Sequence, residues 1–208
     1  MKIIEPKVEL VKAPAYADIL TLVEAAGRTC YKSEDKITEG SAEKFVRGII
    51  RRGHHAVIEH GVLTVRFTCD RGVSHEIVRH RIASYCQEST RYCNYSNEGF
   101  GGEITVISPS WTSEGLPGYE RWKKACMTAE IAYFDLLTEG YSPQAARSVL
   151  PNSLKTEVVM TANIREWRHF IQLRAAGAAH PDMRVVAKQL HKLLTEAYPV
   201  FFEDIEVD

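Results

Sequence analysis

The most regular segment of the chain reads Leu63-Thr64-Val65-Arg66-Phe67-Thr68-Cys69. Apolar and polar residues alternate along it, and successive side chains of a β-strand point to opposite faces of the sheet. The segment therefore predicts a strand with one buried face. Residues 73–82 follow and are predicted to form a short helix that ends in a loop rich in arginine.

The rest of the chain shows the same interleaving of strands and helices. Predicted strands lie at residues 7–12, 104–107 and 154–162, and predicted helices lie at 16–26, 41–50 and 119–137 and begin near Ser142, Asn163 and Pro181. Regular βαβ spacing and a glycine-rich nucleotide-binding turn are both absent from the sequence. We therefore expect one α+β domain over residues 1–208 rather than a doubly wound sheet.

Composition excludes several classes of protein. The 208 residues are 45% hydrophobic and 25% charged, with a formal net charge of -1, so no general attraction to nucleic acid or to an anionic membrane is expected. No apolar run approaches the roughly 18 to 20 residues that span a bilayer, and residues 1–6 lack the apolar core of a signal peptide. The five cysteines lack paired spacing, which predicts reduced thiols in the cytoplasm.

The loop after the short helix concentrates ionisable and hydroxyl side chains. It reads Arg79-His80-Arg81-Ile82-Ala83-Ser84-Tyr85-Cys86-Gln87-Glu88-Ser89-Thr90-Arg91-Tyr92. Arginine stays charged at physiological pH and presents forked donors that suit phosphates, carboxylates and the carbonyl groups of heterocycles. Three guanidinium groups so close together in a nearly neutral protein predict an anionic small ligand, for example a phosphorylated one.

The predicted helix also suggests how these charges are arranged. Residues three and four apart share a helix face, so Glu76, Arg79 and His80 would lie together while Arg81 points the opposite way. The two arginines would then serve different ligands or different subunits. The alternative is a surface ion pair between Glu76 and Arg79 worth at most about 1 kcal/mol, but the crowding of polar groups nearby favours a ligand.

A second candidate region is the helix predicted from Asn163. One stripe of this helix is apolar until its last member, an arginine: Ile164, Trp167, Ile171 and Arg174. A buried guanidinium without a partner is costly, so Arg174 is predicted to meet an anion or a polar ligand. The alternative is that Arg174 reaches solvent from the helix end. Arg165 and His169 lie on a different face, which is typical of a solvated surface.

The sequence lacks the patterns typical of a metal site, a nucleophilic active site or a nucleic-acid-binding protein. No two histidines have the four-residue spacing of a zinc-binding helix and no Cys-x-x-Cys pair is present, so no metal site is predicted. Cys86 and Cys93 lack an obvious histidine partner, and Ser89 is interpreted as a ligand-binding hydroxyl rather than a nucleophile. Residues 91–95 mix basic and aromatic side chains that can stack single-stranded bases, but the balanced net charge argues against a nucleic-acid partner.

The spacing Arg79-His80-Arg81, seven residues, then Ser89 resembles the signature of the flavin-dependent thymidylate synthases. Further blocks resemble the same family in the same order over about residues 28–184: Gly53-His54, Glu59-His60, Ser84, Arg91-Tyr92, Arg147 before Leu150-Pro151, Asn163-x-Arg165, His169 and Arg174. The chain departs from the commonest motif at Cys86, where the family usually has asparagine, and at Gln87, where it usually has an acid.

The resemblance implies the family's own mixed α/β fold, an antiparallel-rich sheet flanked by helices, and a homotetramer with active sites at subunit interfaces. It implies that FAD contacts His54, Glu59, Arg79, His80, Arg81, Asn163, Arg165 and His169. It implies that dUMP contacts Glu76, Arg79, Gln87, Glu88, Ser89, Thr90, Arg91, Arg147 and Arg174.

By this resemblance the protein is a methyltransferase that converts dUMP to dTMP, with 5,10-methylenetetrahydrofolate as carbon donor and NADPH as the reductant of FAD. The flavin supplies hydride, which no side chain can do. Negative charge develops on the uracil ring when its C5 becomes nucleophilic, and a cation stabilises it. We therefore expect Arg174 to be the catalytic residue. The alternative is a regulatory protein of the same fold that binds nucleotide without catalysis.

Overall fold

The computed structural model describes residues 1–97, Gly99 and residues 101–207, except for the side chain of Lys12. The strands in these residues are β1 (Lys2–Ile4), β2 (Lys7–Lys12), β3 (Val62–Asp70), β4 (Ala83–Gln87), β5 (Thr105–Ile107) and β6 (Lys155–Asn163). The helices are α1 (Tyr16–Thr29), α2 (Ser41–Arg51), α3 (Arg71–Ile77), α4 (Pro117–Thr138), α5 (Pro143–Ala146), α6 (Ile164–Arg174), α7 (Pro181–Ala197) and α8 (Pro199–Phe202). None of the helices in the described residues has both the length and the apolar character needed to cross a bilayer.

The strands form two sheets. Four of them make one sheet in the order β2-β3-β6-β4, and β1 pairs with β5 in parallel. Strands β3 and β6 are antiparallel, because Gly61 lies opposite Ile164 while Thr64, further along the chain, lies opposite the earlier residue Thr161. The hydroxyl groups of Thr64 and Thr161 are 2.9 Å apart, and the N–H of Ile164 donates to the carbonyl oxygen of Gly61 at 2.9 Å. The α+β class predicted from the sequence is confirmed.

The chain divides into two compact units. The first unit comprises Met1–Lys7, Phe67–Arg79 and Cys86–Val158, and the second comprises Val8–Arg66, His80–Tyr85 and Val159–Asp208. The expectation of one domain over residues 1–208 stays a prediction.

The core of the first unit contains side chains of the long helix α4 together with side chains in and near β5 and β6. Its buried members include Ile104, Val106, Cys126, Tyr133 and Leu154. The indole N–H of Trp122 on α4 donates to the hydroxyl of Ser153 at 2.8 Å, just before β6 begins. This packing fixes the start of β6 in the first unit.

The core of the second unit surrounds α6. Trp167 and Phe170 are fully buried, and the indole N–H of Trp167 donates to the carbonyl oxygen of Leu63 at 3.3 Å. The backbone at Gly61 approaches the first turn of α6 so closely that a Cβ there would lie 2.5 Å from Cδ1 of Ile164. A side chain at position 61 would force Ile164 to move, and the start of α6 thereby lies close against the residue that precedes β3.

The predicted elements have the structure expected, apart from the region between β3 and the arginines. Helix α3 ends at Ile77, and the N–H of Arg79 then bonds to the carbonyl oxygen of Glu76 at 3.3 Å, three residues back instead of the four of an α-helix. The prediction that Glu76, Arg79 and His80 share one helix face is therefore wrong. Strand β4 was not predicted, because its half-buried residues and its exposed residues do not differ in polarity.

Candidate active site

A cavity of about 430 Å³ lies beside α6 in the second unit. Its lining includes four of the residues predicted to contact FAD, and these are Glu59, Asn163, Arg165 and His169. The remaining lining residues are His55, Ile82, Glu166, Arg168 and Gln172. The structure thus brings together half of the predicted flavin group.

The first turn of α6 positions two of these residues. Asn163 is the last residue of β6 and the N-cap of α6, and its side-chain oxygen accepts the N–H of Glu166 at 2.9 Å. Arg165 and His169 are four residues apart and so project from the same side of the helix. Arg165 donates from Nη1 to Oε1 of Glu59 at 2.6 Å. The surface predicted to be merely solvated is one wall of the cavity.

The other predicted flavin residues lie elsewhere. His54 and Arg81 are exposed and do not line this cavity, and Arg79 belongs to the first unit. His80 is buried, with a relative exposure of 3%. Both nitrogens of its ring are occupied by side chains of the chain itself.

His80 forms hydrogen bonds with two side chains of α6. Its Nδ1 lies 2.8 Å from Oε1 of Glu166, and its Nε2 accepts a hydrogen bond from Nε of Arg174 at 3.1 Å. The ring centroid is 4.7 Å from that of Phe170 and 5.4 Å from that of His169. Burial lowers the pKa of His80, and the hydrogen bond to Glu166 acts in the opposite direction. A neutral imidazole with its proton on Nδ1 satisfies both hydrogen bonds.

Arg174 ends α6 on the predicted stripe. Ile164, Trp167 and Ile171 are fully buried, and Arg174 is half-buried. The sequence predicted an anion or a polar ligand for this guanidinium group, which stays a prediction; within the chain its Nε donates to Nε2 of His80. This hydrogen bond holds the positive charge of Arg174 against His80, the residue that also contacts Glu166 and His169.

The same group contains three side chains that could bind a metal ion. His80, Glu166 and His169 each offer a ligand atom, and these atoms lie within 4.8 Å of one another. However, Glu166 already accepts the Nδ1 proton of His80, and the guanidinium group of Arg174 faces the other nitrogen. The positive charge of Arg174, 3.1 Å from Nε2 of His80, would repel a metal cation bound there. We therefore assign these three side chains to hydrogen bonding.

Predicted nucleotide residues occur together in the first unit. Gln87, at the end of β4, donates from Nε2 to the hydroxyls of Ser74 at 3.0 Å and Thr156 at 3.3 Å. Glu88 accepts a hydrogen bond from Nζ of Lys155 at 2.9 Å. These contacts anchor the segment that leads into the turn at Ser89, where the N–H of Cys93 returns to the Ser89 carbonyl oxygen.

The turn is joined to the end of α5. Arg147 donates from Nη1 to the hydroxyl of Thr90 at 3.3 Å, and Arg91 donates from Nε to Oε1 of Gln144 at 3.1 Å. Arg147 follows α5, which begins next to Ser142 as predicted, and the Ser142 side chain accepts the N–H of Ala145 at 3.3 Å. Two exposed guanidinium groups and two hydroxyl groups therefore lie in one part of the first unit, a composition that suits a phosphate.

Each unit also has residues, near its own predicted group, that the sequence did not single out for chemistry. Lys155, Ser74 and Thr156 orient the segment after β4, and Glu166 and Arg168 lie at the cavity. The N–H of Glu166 is held by the Asn163 cap, and the Glu166 carboxylate binds His80.

Comparison with known proteins decides the family. A family model described as thymidylate synthase complementing protein matches residues 12–200. The chain belongs to this family. The matched range contains every site residue predicted from the resemblance to the flavin-dependent thymidylate synthases, and the family resemblance is confirmed.

Individual members of the family are similar over most of their length. A flavin-dependent thymidylate synthase of Mycolicibacterium vanbaalenii is 35% identical over 204 residues, which cover 89% of this chain and 79% of that protein. The protein of the same name from Pyrococcus furiosus is 34% identical over 167 residues, 80% of this chain and 68% of the relative.

A solved structure supports the same fold. The UMP/dUMP methylase PolB from Streptomyces cacaoi, whose crystal structure is bound with 5-Br dUMP, superposes with a TM-score of 0.77. It is 26% identical in sequence, and the match covers 98% of this chain and 96% of PolB. The family fold predicted from the sequence is thus confirmed over nearly the whole chain.

Proposed function

We propose that this protein is a flavin-dependent thymidylate synthase, an enzyme that methylates dUMP to dTMP. The observation that carries the proposal is Arg174, a half-buried guanidinium group held at Nε by His80 in a chain of this family. The reaction needs a fixed cation where negative charge develops on the uracil ring. A partly desolvated arginine interacts with that charge more strongly than an exposed one does.

The nucleotide would bind through residues of the first unit. Arg79, Arg91 and Arg147 supply positive charge for the phosphate, and Ser89 and Thr90 supply hydroxyl groups. Gln87 and Glu88 are held by internal hydrogen bonds, so their role would be to shape this segment. The proposal draws support from PolB, which is named as a UMP/dUMP methylase.

FAD would bind in part through the second unit. The cavity beside α6 offers donors at Arg165 and His169, an acceptor at Glu59, and the apolar surface of Ile82. This mixture suits an isoalloxazine or a nucleotide moiety, which both combine flat apolar rings with polar edges. His54, Arg79 and Arg81 are further FAD contacts that the family resemblance implies. When bound, FAD would supply the hydride.

Arg174 would activate the substrate. Its Nε donates to His80, and contact with the uracil would be made by the same guanidinium group. Donation to the ring would stabilise negative charge on N3 and the carbonyl oxygens and so make C5 nucleophilic. This scheme requires no nucleophilic side chain, in agreement with the absence of an activated cysteine or serine pattern in the sequence.

Further parts of the proposal rest on the family resemblance. NADPH would reduce the flavin, and 5,10-methylenetetrahydrofolate would supply the carbon. The enzyme would be a cytoplasmic homotetramer whose active sites form at subunit interfaces.

Tritium release from [5-³H]dUMP tests the proposed function. Purified protein should carry flavin absorbance and should release tritium only when NADPH and methylenetetrahydrofolate are both present. A protein that binds dUMP and FAD but releases no tritium would instead be the non-catalytic nucleotide-binding protein considered from the sequence. Failure to bind FAD at all would refute the proposed enzyme, and dUMP binding by that protein would favour the non-catalytic alternative.

A further inference from the structure

We propose that Glu166 is a positioning residue that fixes the tautomer of His80 and thereby holds Arg174 in its catalytic orientation. Glu166 belongs to none of the family motifs quoted above. The hydrogen bonds from Glu166 through His80 to Arg174 are called the relay below. The effect of the relay on catalysis rests on the proposed function, but the relay itself can be measured without any turnover.

The direction of each hydrogen bond follows from the groups involved. A carboxylate can only accept, so Glu166 requires a proton on Nδ1 of His80, at 2.8 Å. Arginine can only donate, so Nε of Arg174 requires a lone pair on Nε2 of His80, at 3.1 Å. One neutral tautomer meets both demands, and the other tautomer meets neither.

The relay is held rigidly at its two inner members. His80 is 3% exposed and Glu166 is 7% exposed. The N–H of Glu166 is fixed by the Asn163 cap, and the hydroxyl of Tyr85 donates to the carbonyl oxygen of His80. The ring of His80 is packed against Phe170. A planar guanidinium bonded at Nε to such a support has its plane fixed as well, which sets the direction of both Nη groups.

The charges around His80 determine how the relay responds to pH. Glu166, His169 and Arg174 of α6 face the ring, and Tyr85 of β4 contacts its backbone. Burial lowers the pKa of His80, Arg174 and His169 lower it further, and Glu166 raises it. Protonation would fill Nε2 and place a second cation against Arg174, so the relay would be lost on acidification.

The variant that tests this is Glu166→Gln, with Glu196→Gln as a matched control on an exposed stretch of α7. A glutamine side chain can donate or accept and therefore does not select a tautomer. We expect wild-type flavin content and a kcat for tritium release reduced by about 100-fold, the loss typical of a misplaced catalytic group. We also expect the loss of kcat on acidification to begin at a lower pH in Glu166→Gln than in the wild type, because Glu166 no longer raises the pKa of His80. Glu196→Gln should match the wild type in all three measurements.

Two further measurements separate positioning from a merely structural effect. In an Arg174→Ala background, Glu166→Gln should cause no further loss of dUMP affinity, because the two residues act through one contact. Histidine-selective ¹⁵N NMR of the wild type should show His80 neutral with its proton on Nδ1, the signal being assigned with His80→Asn.

Several results would overturn the proposal. These are wild-type kcat in Glu166→Gln, additive losses in the double variant, or a His80 proton on Nε2. Absence of tritium release from the wild type would refute the proposed function alone, since the NMR measurement does not depend on turnover. If Glu166→Gln fails to fold, the NMR measurement still decides the relay.

Discussion

Asp204→Asn should destabilise the second unit, because it removes the carboxylate that pairs with the buried guanidinium group of Arg168 beside the cavity. Arg168 is 4% exposed and donates from Nη1 and Nη2 to the two oxygens of Asp204 at 2.6 and 2.7 Å. Its Nη1 also donates to the carbonyl oxygen of Phe201. Removal of the carboxylate would leave Arg168 with a buried charge and only part of its hydrogen bonding.

The size of the effect follows from this geometry. Removing one member of a buried ion pair costs about 3 to 5 kcal/mol. Asp204 is 47% exposed and the Phe201 contact remains, so solvent screening reduces the expected loss to about 2 kcal/mol. For a chain of this size that corresponds to a melting temperature lower by about 4 to 8 °C.

The assay is thermal unfolding at matched protein concentration across a pH series. The Arg168 hydrogen bond holds the pKa of Asp204 below its usual value. The stabilisation is therefore fully present above the unfolded pKa of about 3.9 and is lost as pH falls through the lower folded pKa. Glu203→Gln is the control, because Glu203 pairs with the half-exposed Arg47 and should change stability by at most about 1 kcal/mol. Equal melting temperatures for Asp204→Asn and the wild type at pH 7 would refute the reasoning.

Two more changes test how α6 is placed. Gly61→Ala should destabilise the protein by about 1 to 3 kcal/mol, because the new Cβ would lie 2.5 Å from Cδ1 of Ile164; an unchanged urea midpoint would contradict this close approach. Asn163→Ala should remove the cap of α6, lower stability by about 1 kcal/mol, and weaken FAD binding in a fluorescence titration. Ser142→Ala removes a comparable cap from α5 and should leave FAD affinity unchanged; an equal loss of FAD affinity in both variants would argue against the cavity as the flavin site.

Local patterns predicted most of the elements that hold the site. The alternation in residues 63–69 predicted β3, and the asparagine at 163 predicted the start of α6, because both signals lie within a few residues of chain. Strand β4 was missed for the opposite reason. Tyr85 and Gln87 are half-buried while Ser84 and Cys86 are exposed, and such a segment has no hydrophobic face to detect.

The chemistry of the site depended on contacts that local patterns do not show. Glu166 and His80 are 86 positions apart, so their hydrogen bond leaves no trace in the spacing of either segment. The same is true of Arg168 and Asp204. The stripe that ends in Arg174 predicted an anion or a polar ligand, because burial of a guanidinium group demands a partner, but it gave no sign of the hydrogen bond to His80.

The most direct test of the account is tritium release from [5-³H]dUMP by Arg174→Ala, measured with the flavin content of the same preparation. Loss of one fixed donor at a developing negative charge costs about 100- to 1000-fold in rate, so we predict a loss of at least this size with flavin content unchanged. The exposed arginine variant Arg47→Ala should retain full activity. Tritium release at the wild-type rate by Arg174→Ala would contradict the role that the structure and the family together suggest for this residue.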